Sequence, residues 1–135
     1  MAHLTGLLFL FPSFALLPDV QSLRPVQGVR VVSAAEQYPG GRYSPGNLVD
    51  GKVKTEYSSK SLGTGTFVLF EFERPEVLGG FMHRQRNDPA TVAASRLQLF
   101  NEKGELTASF QVKHVNRPGA ETFFCFPRKV CLLYT

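Results

Sequence analysis

Residues 106–114 read Leu-Thr-Ala-Ser-Phe-Gln-Val-Lys-His, and this stretch decides the fold class. Apolar and polar residues alternate along it, starting with Leu106 and reaching Val112. The side chains of a β-strand point alternately to its two faces, so one face of this segment is apolar and the other is polar. Such a pattern is typical of a strand in an antiparallel sheet that has one face in water.

The neighbouring segments extend this pattern. Leu97 and Leu99 predict an inward face for residues 96–100, and the Asn-Glu-Lys-Gly sequence at 101–104 predicts the turn of a hairpin. Further strands are predicted at 29–34, 66–73, 77–83, 122–126 and 130–134, which are rich in β-branched and aromatic residues. Short strands between Gly- and Pro-rich turns predict an all-β fold, an antiparallel β-sandwich.

Two details of these strands give sharper expectations. Gly79 and Gly80 lie inside the predicted strand 77–83, where paired glycines indicate a bulge or a close approach of backbones. Phe67 and Leu69 lie on the opposite face from Val68 and Phe70, so the start of strand 66–73 is expected to be buried on both faces.

The composition describes one small domain. The chain has 135 residues, 43% of them hydrophobic, which is enough to bury a core. Twelve Phe and no Trp predict a phenylalanine-rich core. The formal charge is +4, and the 15 Lys and Arg are scattered without a basic run, so nucleic acid is not predicted as a partner.

The cysteines predict neither a disulfide nor a zinc site. Within one strand the Cα atoms of Cys125 and Cys131 would lie roughly 20 Å apart, too far to bridge. A disulfide would need a sharp turn at Pro127 and Arg128, so two unpaired thiols are favoured. The two Cys and three His also lack the spacing of zinc ligands.

A short capped turn lies within residues 43–57, Tyr-Ser-Pro-Gly-Asn-Leu-Val-Asp-Gly-Lys-Val-Lys-Thr-Glu-Tyr. Ser44 and Pro45 are favourable as the N-cap and the first residue of a helical turn. Gly51 is favourable where the chain leaves the turn in a left-handed conformation. Asp50 lies at the end of the turn, where the helix dipole disfavours a carboxylate. A hydrogen-bonded loop or a bound cation would explain its position.

Asn-Leu-Val-Asp-Gly at 47–51 and Thr-Glu-Tyr-Ser-Ser at 55–59 resemble the early segment of discoidin domains, also called coagulation-factor type C domains. Residues 33–38 fit the same pattern, although Tyr57 stands where the family usually has tryptophan. The resemblance covers residues 29–135. It implies a galactose-binding-like jelly roll, a bacterial-type carbohydrate-binding module that holds a glycan in loops at one end of the sandwich. Family domains normally continue further, which implies an incomplete last strand and an open edge able to associate.

The N-terminal segment predicts secretion. Residues 1–22 are apolar from 4 to 17, which is typical of the apolar region of a secretory signal peptide, with 20–22 as a candidate cleavage site. The segment departs from the usual pattern in having no Lys or Arg, so the amino terminus is its positive charge, helped by His3. The segment is too short and too interrupted by Pro for a membrane span. We therefore expect a domain at 23–135 that is extracellular or periplasmic, without a membrane span after cleavage. A buried N-terminal strand or an uncleaved anchor is the alternative.

The candidate glycan contacts lie in two loops. Arg84, Arg86 and Asn87 follow an apolar strand, and guanidinium and amide groups bind hydroxyls or anionic groups in a plane. Tyr43, with Tyr38 and Arg42, provides an aromatic surface on which a sugar ring can stack. The alternative is that the arginines pair with Asp88 or with Glu71 and Glu73 and are only solvated.

The capped turn is the candidate metal site. Calcium prefers carboxylate, hydroxyl and carbonyl oxygens, which Asn47, Asp50, Lys52 and Thr55 can supply. Discoidin-like modules often bind structural calcium at the matching turn, although Lys52 stands where the family often has Asp. The alternative is that Asp50 caps local amide groups and Lys52 is solvated.

Catalytic signatures are missing from the sequence. It has no nucleophile-elbow motif and no Gly-rich phosphate loop. Glu71 and Glu73 lie on one face of a strand, but their alternation reads as a solvent-exposed face, and His114 is expected to be structural. The sequence therefore predicts a non-catalytic binding module. A protein-interaction or adhesion domain of a larger extracellular protein is the alternative.

Overall fold

The protein is all-β and antiparallel. Its structure, a computed structural model, describes residues 6–10, 24–60 and 63–132, with side chains for 24–60 and 63–127. Every described strand pair is antiparallel. The strands are β1 (Gly6–Leu10), β2 (Arg24–Pro25), β3 (Val29–Ala34), β4 (Val68–Phe72), β5 (Glu76–Arg84), β6 (Ala94–Phe100), β7 (Leu106–Lys113) and β8 (Glu121–Leu132).

The strands form three sheets around one core. The largest has the order β2-β1-β5-β8, while β3 pairs with β4 and β6 pairs with β7. The core draws on all three, with Leu78 and Phe126 from the first, Phe72 from the second and Leu99 from the third. The ring of Phe110 in β7 stacks on Phe126 at 5.1 Å between centroids. This contact packs the β6–β7 hairpin against the four-stranded sheet and confirms the phenylalanine-rich core. The jelly-roll topology stays a prediction.

Helix is confined in the described residues to two 3₁₀ turns, Pro45–Leu48 and Gly63–Gly65. Neither is long enough or apolar enough to cross a membrane. The first of these turns packs against β3 and contains Asn47, while the other candidate metal ligands, Asp50, Lys52 and Thr55, follow it.

A bulge interrupts β5 where the sequence predicts one. The register with both neighbouring strands shifts between Leu78 and Gly80. In β1 the partners of Leu78 and Gly80 are the adjacent residues Leu10 and Phe9. In β8 their partners are Val130 and Cys125. Gly79 is therefore the point where the sheet loses its regular pairing on both sides, which is the usual role of glycine within a strand.

One expectation about the strands is confirmed in part and another is wrong. Segments 122–126 and 130–134 are predicted as separate strands; β8 runs from Glu121 to Leu132, but its pairing with β5 breaks between Cys125 and Val130, and 133–134 lie outside the described residues. Pro127 lies within this break, as expected of a residue without a backbone N–H to donate. Phe67 and Leu69 are 54% and 44% exposed, so the start of β4 is not buried on both faces.

The apolar segment of the predicted signal peptide has a place in the sheet of the full chain. Gly6–Leu10 forms β1 and pairs with β5 along residues 78–83. The rest of residues 1–22, including the candidate cleavage site, lies outside the described residues. Removal of residues 1–22, as the signal-peptide prediction requires, would leave this length of β5 without β1 as its neighbour.

Candidate functional site

The capped turn forms as its residues predict. Ser44 caps the 3₁₀ turn and its Oγ accepts a hydrogen bond from the backbone N–H of Gly46. Gly51 has φ of 73°, a left-handed conformation that costs glycine little. The amide of Asn47 donates to the carbonyl oxygens of Arg42 and Glu56, at 2.9 Å and 2.8 Å. Asn47 thus links the first loop, residues 37–43, to Glu56, which follows the turn.

The candidate metal ligands meet in a hydrogen-bonded loop. Asp50 Oδ1 accepts from the backbone N–H of Lys52 at 2.8 Å, and Asp50 Oδ2 accepts from Thr55 Oγ1 at 2.7 Å. Both carboxylate oxygens therefore have a donor, which explains an acid at the end of the turn without a cation. A set with one carboxylate, facing an N–H and an O–H donor, is a poor fit to calcium. Calcium binding stays a prediction, and the proposed function does not depend on it.

Arg86 anchors the second loop, residues 84–90, through an ion pair. Its guanidinium pairs with Glu56 through two hydrogen bonds, 2.6 Å from Nη2 to Oε1 and 3.2 Å from Nε to Oε2. Nη2 also lies 3.3 Å from Asp88 Oδ2. The Arg86 side chain is only 7% exposed, whereas Glu56 and Asp88 are 25% and 48% exposed. A buried cation is thus covered by two acids that face water.

An aromatic pair adjoins this ion pair. The Arg86 guanidinium carbon lies 5.7 Å from the centroid of the Tyr43 ring, within the range of a cation–π contact. Tyr43 in turn packs edge to face with Tyr38 at 6.0 Å. Tyr38 is 41% exposed. The structure therefore brings together Tyr43 and Arg86, two of the predicted glycan contacts.

The other two predicted contacts lie beside them. Arg84 donates to Glu121 across the β5–β8 pairing at 2.9 Å, so it is partly neutralised. Asn87 is exposed, and its Oδ1 lies 2.9 Å from the position that a Cβ on Gly119 would take. Arg84, Arg86 and Asn87 all line a small depression together with residues 53–56. Its volume is about 20 Å³, which is room for a water molecule but not for a sugar.

A buried glutamine holds the second loop in place. The Gln85 side chain is 1% exposed and donates to the carbonyl oxygens of Val92 and Val115 while accepting from the Val92 N–H. The backbone of Arg86 also accepts from Gly119 N–H at 2.8 Å. These bonds fix the loop on which Arg86 and Asn87 stand, as a preorganised binding surface requires.

Sequence reasoning did not identify Glu56 as a site residue. It lies between Thr55, which bonds Asp50, and Tyr57, which is fully buried and donates to Ala35 C=O at 2.6 Å. Burial raises the pKa of Tyr57 above its ordinary value of 10.0. Burial in this segment does not alternate, because Tyr57, Ser58 and Ser59 are all fully buried, so the sequence offers no periodic signal for Glu56.

We call the residues at this place the loop surface: Tyr38, Tyr43, Glu56, Arg84, Arg86, Asn87 and Asp88. Searches against family models, curated proteins and solved structures find no match to the chain. The resemblance to discoidin domains therefore stays a prediction, and the case for a function depends on the loop surface itself.

Proposed function

We propose that the chain is a secreted, non-catalytic carbohydrate-binding module that holds a glycan at the loop surface. The observation that carries the proposal is the Tyr38–Tyr43 ring pair beside the Arg86–Glu56 ion pair. Sugar binding requires an apolar ring face together with planar polar groups at its rim, because a sugar has both C–H faces and equatorial hydroxyls. This surface supplies both within one pair of adjacent loops.

The form of the surface supports binding by stacking on an open platform. The depression beside it has a volume of only about 20 Å³, so a glycan would lie across the loops with Tyr38 beneath it. Open platforms of this kind suit the side or end of a polysaccharide chain. The predicted discoidin-like jelly roll, which holds ligands in loops at one end, agrees with this placement.

A glycan array with aromatic variants tests the proposal. We expect the full chain to bind at least one neutral or anionic oligosaccharide. Tyr43→Ala and Tyr38→Ala should weaken that binding at least about five-fold, because stacking on an aromatic ring contributes about 1 kcal/mol or more. Phe123→Ala is the matched control: Phe123 is 46% exposed on β8 and lies outside the loop surface. Absence of binding to any glycan, or equal losses in all three variants, would overturn the proposal.

A protein-interaction domain is the second candidate, and one observation favours it. Val32, Phe67 and Leu69, on or beside the β3–β4 pair, are 47%, 54% and 44% exposed. Large apolar side chains gathered at a surface often mark contacts with other proteins. Phe67→Ser with Leu69→Ser should abolish capture of an extracellular protein partner and leave glycan binding intact. Loss of glycan binding in this double variant would assign the β3–β4 surface to the glycan instead.

A further inference from the structure

The charges of the loop surface are already balanced within the protein. Arg86 is bound at two points by Glu56 and also lies next to Asp88, and Arg84 is bound by Glu121. Each of the two arginines of the loop surface therefore has at least one acid of its own, while Lys54, which also lines the depression, is exposed to water. An ion pair presents little net charge to a third group, so these two arginines do not favour an anion.

Burial makes this balance difficult to break. An anionic sugar group could reach Arg86 only by displacing Glu56 from a guanidinium that is 7% exposed. Glu56 would then be left without its cation, while it is itself only 25% exposed. Removing one partner of a largely buried pair is strongly unfavourable, and the incoming anion would gain no more than the pair already had.

The exposed acids and the exposed amide of the loop surface are suited to hydroxyls. Carboxylate oxygens are hydrogen-bond acceptors with several lone pairs, so Asp88 and the exposed side of Glu56 can accept from sugar O–H groups. Asn87 adds an exposed amide that both donates and accepts. Hydrogen-bond acceptors that carry a negative charge attract a hydroxyl group and repel a carboxylate or a sulfate.

We infer that Glu56 is a specificity-determining residue that restricts the loop surface to neutral, hydroxyl-rich glycans and excludes uronate and sulfated ones. This inference depends on the proposed function and adds the chemical class of its ligand. Glu56 acts by binding the Arg86 guanidinium group. Asp88, at the rim of the loop surface, adds a negative charge that also repels anionic sugars.

The test compares each neutral hexose oligosaccharide on an array with the uronate oligosaccharide of the same configuration and linkage. We expect wild type to bind the neutral member at least about ten-fold more tightly, with an affinity that changes little between low and high NaCl. Glu56→Gln should gain affinity for the uronate by about ten-fold, and this gain should disappear in high salt. Glu71→Gln is the matched control, because it frees Arg30 in an exposed Arg–Glu pair on β3 and β4.

Three outcomes separate the inference from the proposed function. Wild type that binds uronates as well as neutral sugars, with affinity falling as salt rises, overturns the inference and leaves the proposed function standing. A folded Glu56→Gln protein with no gain in uronate binding also overturns the inference. Absence of binding to both sugar classes overturns the proposed function itself. Comparison of the two sugars on wild type decides the ligand class even if Glu56→Gln does not fold.

Discussion

The imidazole rings of His83 in β5 and His114 after β7 pack edge to face, with centroids 4.2 Å apart. Both are buried, at 0% and 7% exposure. His114 Nε2 shares a hydrogen bond with Ser95 Oγ at 2.8 Å, while its buried Nδ1 has no hydrogen-bond partner among the described groups. These rings join the β6–β7 hairpin to the four-stranded sheet next to the loop surface, so protonation of His114 affects the fold.

Stability should fall at acidic pH because of His114. Burial lowers the pKa of His114 in the folded protein below its ordinary value of 6.5. The unfolded chain therefore takes up this proton first as the pH falls below 6.5, and the free energy of unfolding decreases until the folded pKa is reached. A single titrating group changes the free energy of unfolding by at most about 1.4 kcal/mol per pH unit. Urea denaturation between pH 7 and pH 5 measures this slope.

His114→Phe separates titration from packing. The variant keeps a ring against His83 but cannot take up a proton, so its free energy of unfolding should change less between pH 7 and pH 5 than that of wild type. Its stability at pH 7 should also be lower, since Ser95 loses its partner. Equal slopes in the two proteins would show that His114 does not cause the pH dependence.

Arg86→Ala should destabilise the protein far more than the loss of an exposed arginine. It leaves Glu56 partly buried without its cation, a change that costs about 3 kcal/mol. Arg30→Ala is the matched control, because Arg30 pairs with Glu71 but its side chain is 75% exposed, so its loss should cost less than about 1 kcal/mol. Urea denaturation compares the two. Similar losses would mean that burial does not strengthen the Arg86 pair.

Local patterns could predict most of the strands but not the interactions between loops. The alternation in β7 and the glycines of β5 depend on a few neighbouring residues, and both predictions are confirmed. The Arg86–Glu56 pair joins residues thirty apart in the chain. The periodicity of the sequence does not predict which acid lies beside Arg86. That depends on how Asn47 and Gln85 position the two loops.

Position within a sheet explains both the partial success and the failure. β8 is one extended segment, yet its pairing with β5 is interrupted between Cys125 and Val130, where Pro127 has no N–H to donate. Phe67 and Leu69 suggested a strand buried on both faces, yet both side chains are largely exposed, because no other element covers that face in the described residues. The pairing and burial of a strand depend on residues distant in the chain, so the strand's own sequence does not predict them.

Asp50→Ala should weaken the capped turn in the presence and in the absence of calcium. The substitution removes the acceptor of the Lys52 N–H and one of the two acceptors of the Thr55 hydroxyl, which also lies 2.9 Å from the Lys52 carbonyl oxygen. We expect a loss of about 1 kcal/mol because these groups are accessible to water. Thermal unfolding in EDTA and in excess CaCl₂ measures it. A bound ion would raise the melting temperature of wild type with calcium concentration. A loss confined to calcium buffer would identify Asp50 as a metal ligand instead.

Gly119→Ala should disturb the loop surface through Asn87. Gly119 has φ of 68°, where a side chain is strained, and a Cβ there would lie 2.9 Å from Asn87 Oδ1. Gly104→Ala is the matched control, since Gly104 has φ of 76° but nothing within 4 Å of the added atom. Both should lose about 1 kcal/mol from backbone strain. Only Gly119→Ala should also weaken glycan binding, and adding Asn87→Ala should recover part of its lost stability by removing the clash. Equal stability losses in the two glycine variants, with no recovery, would mean that Asn87 moves aside freely and is not held over Gly119.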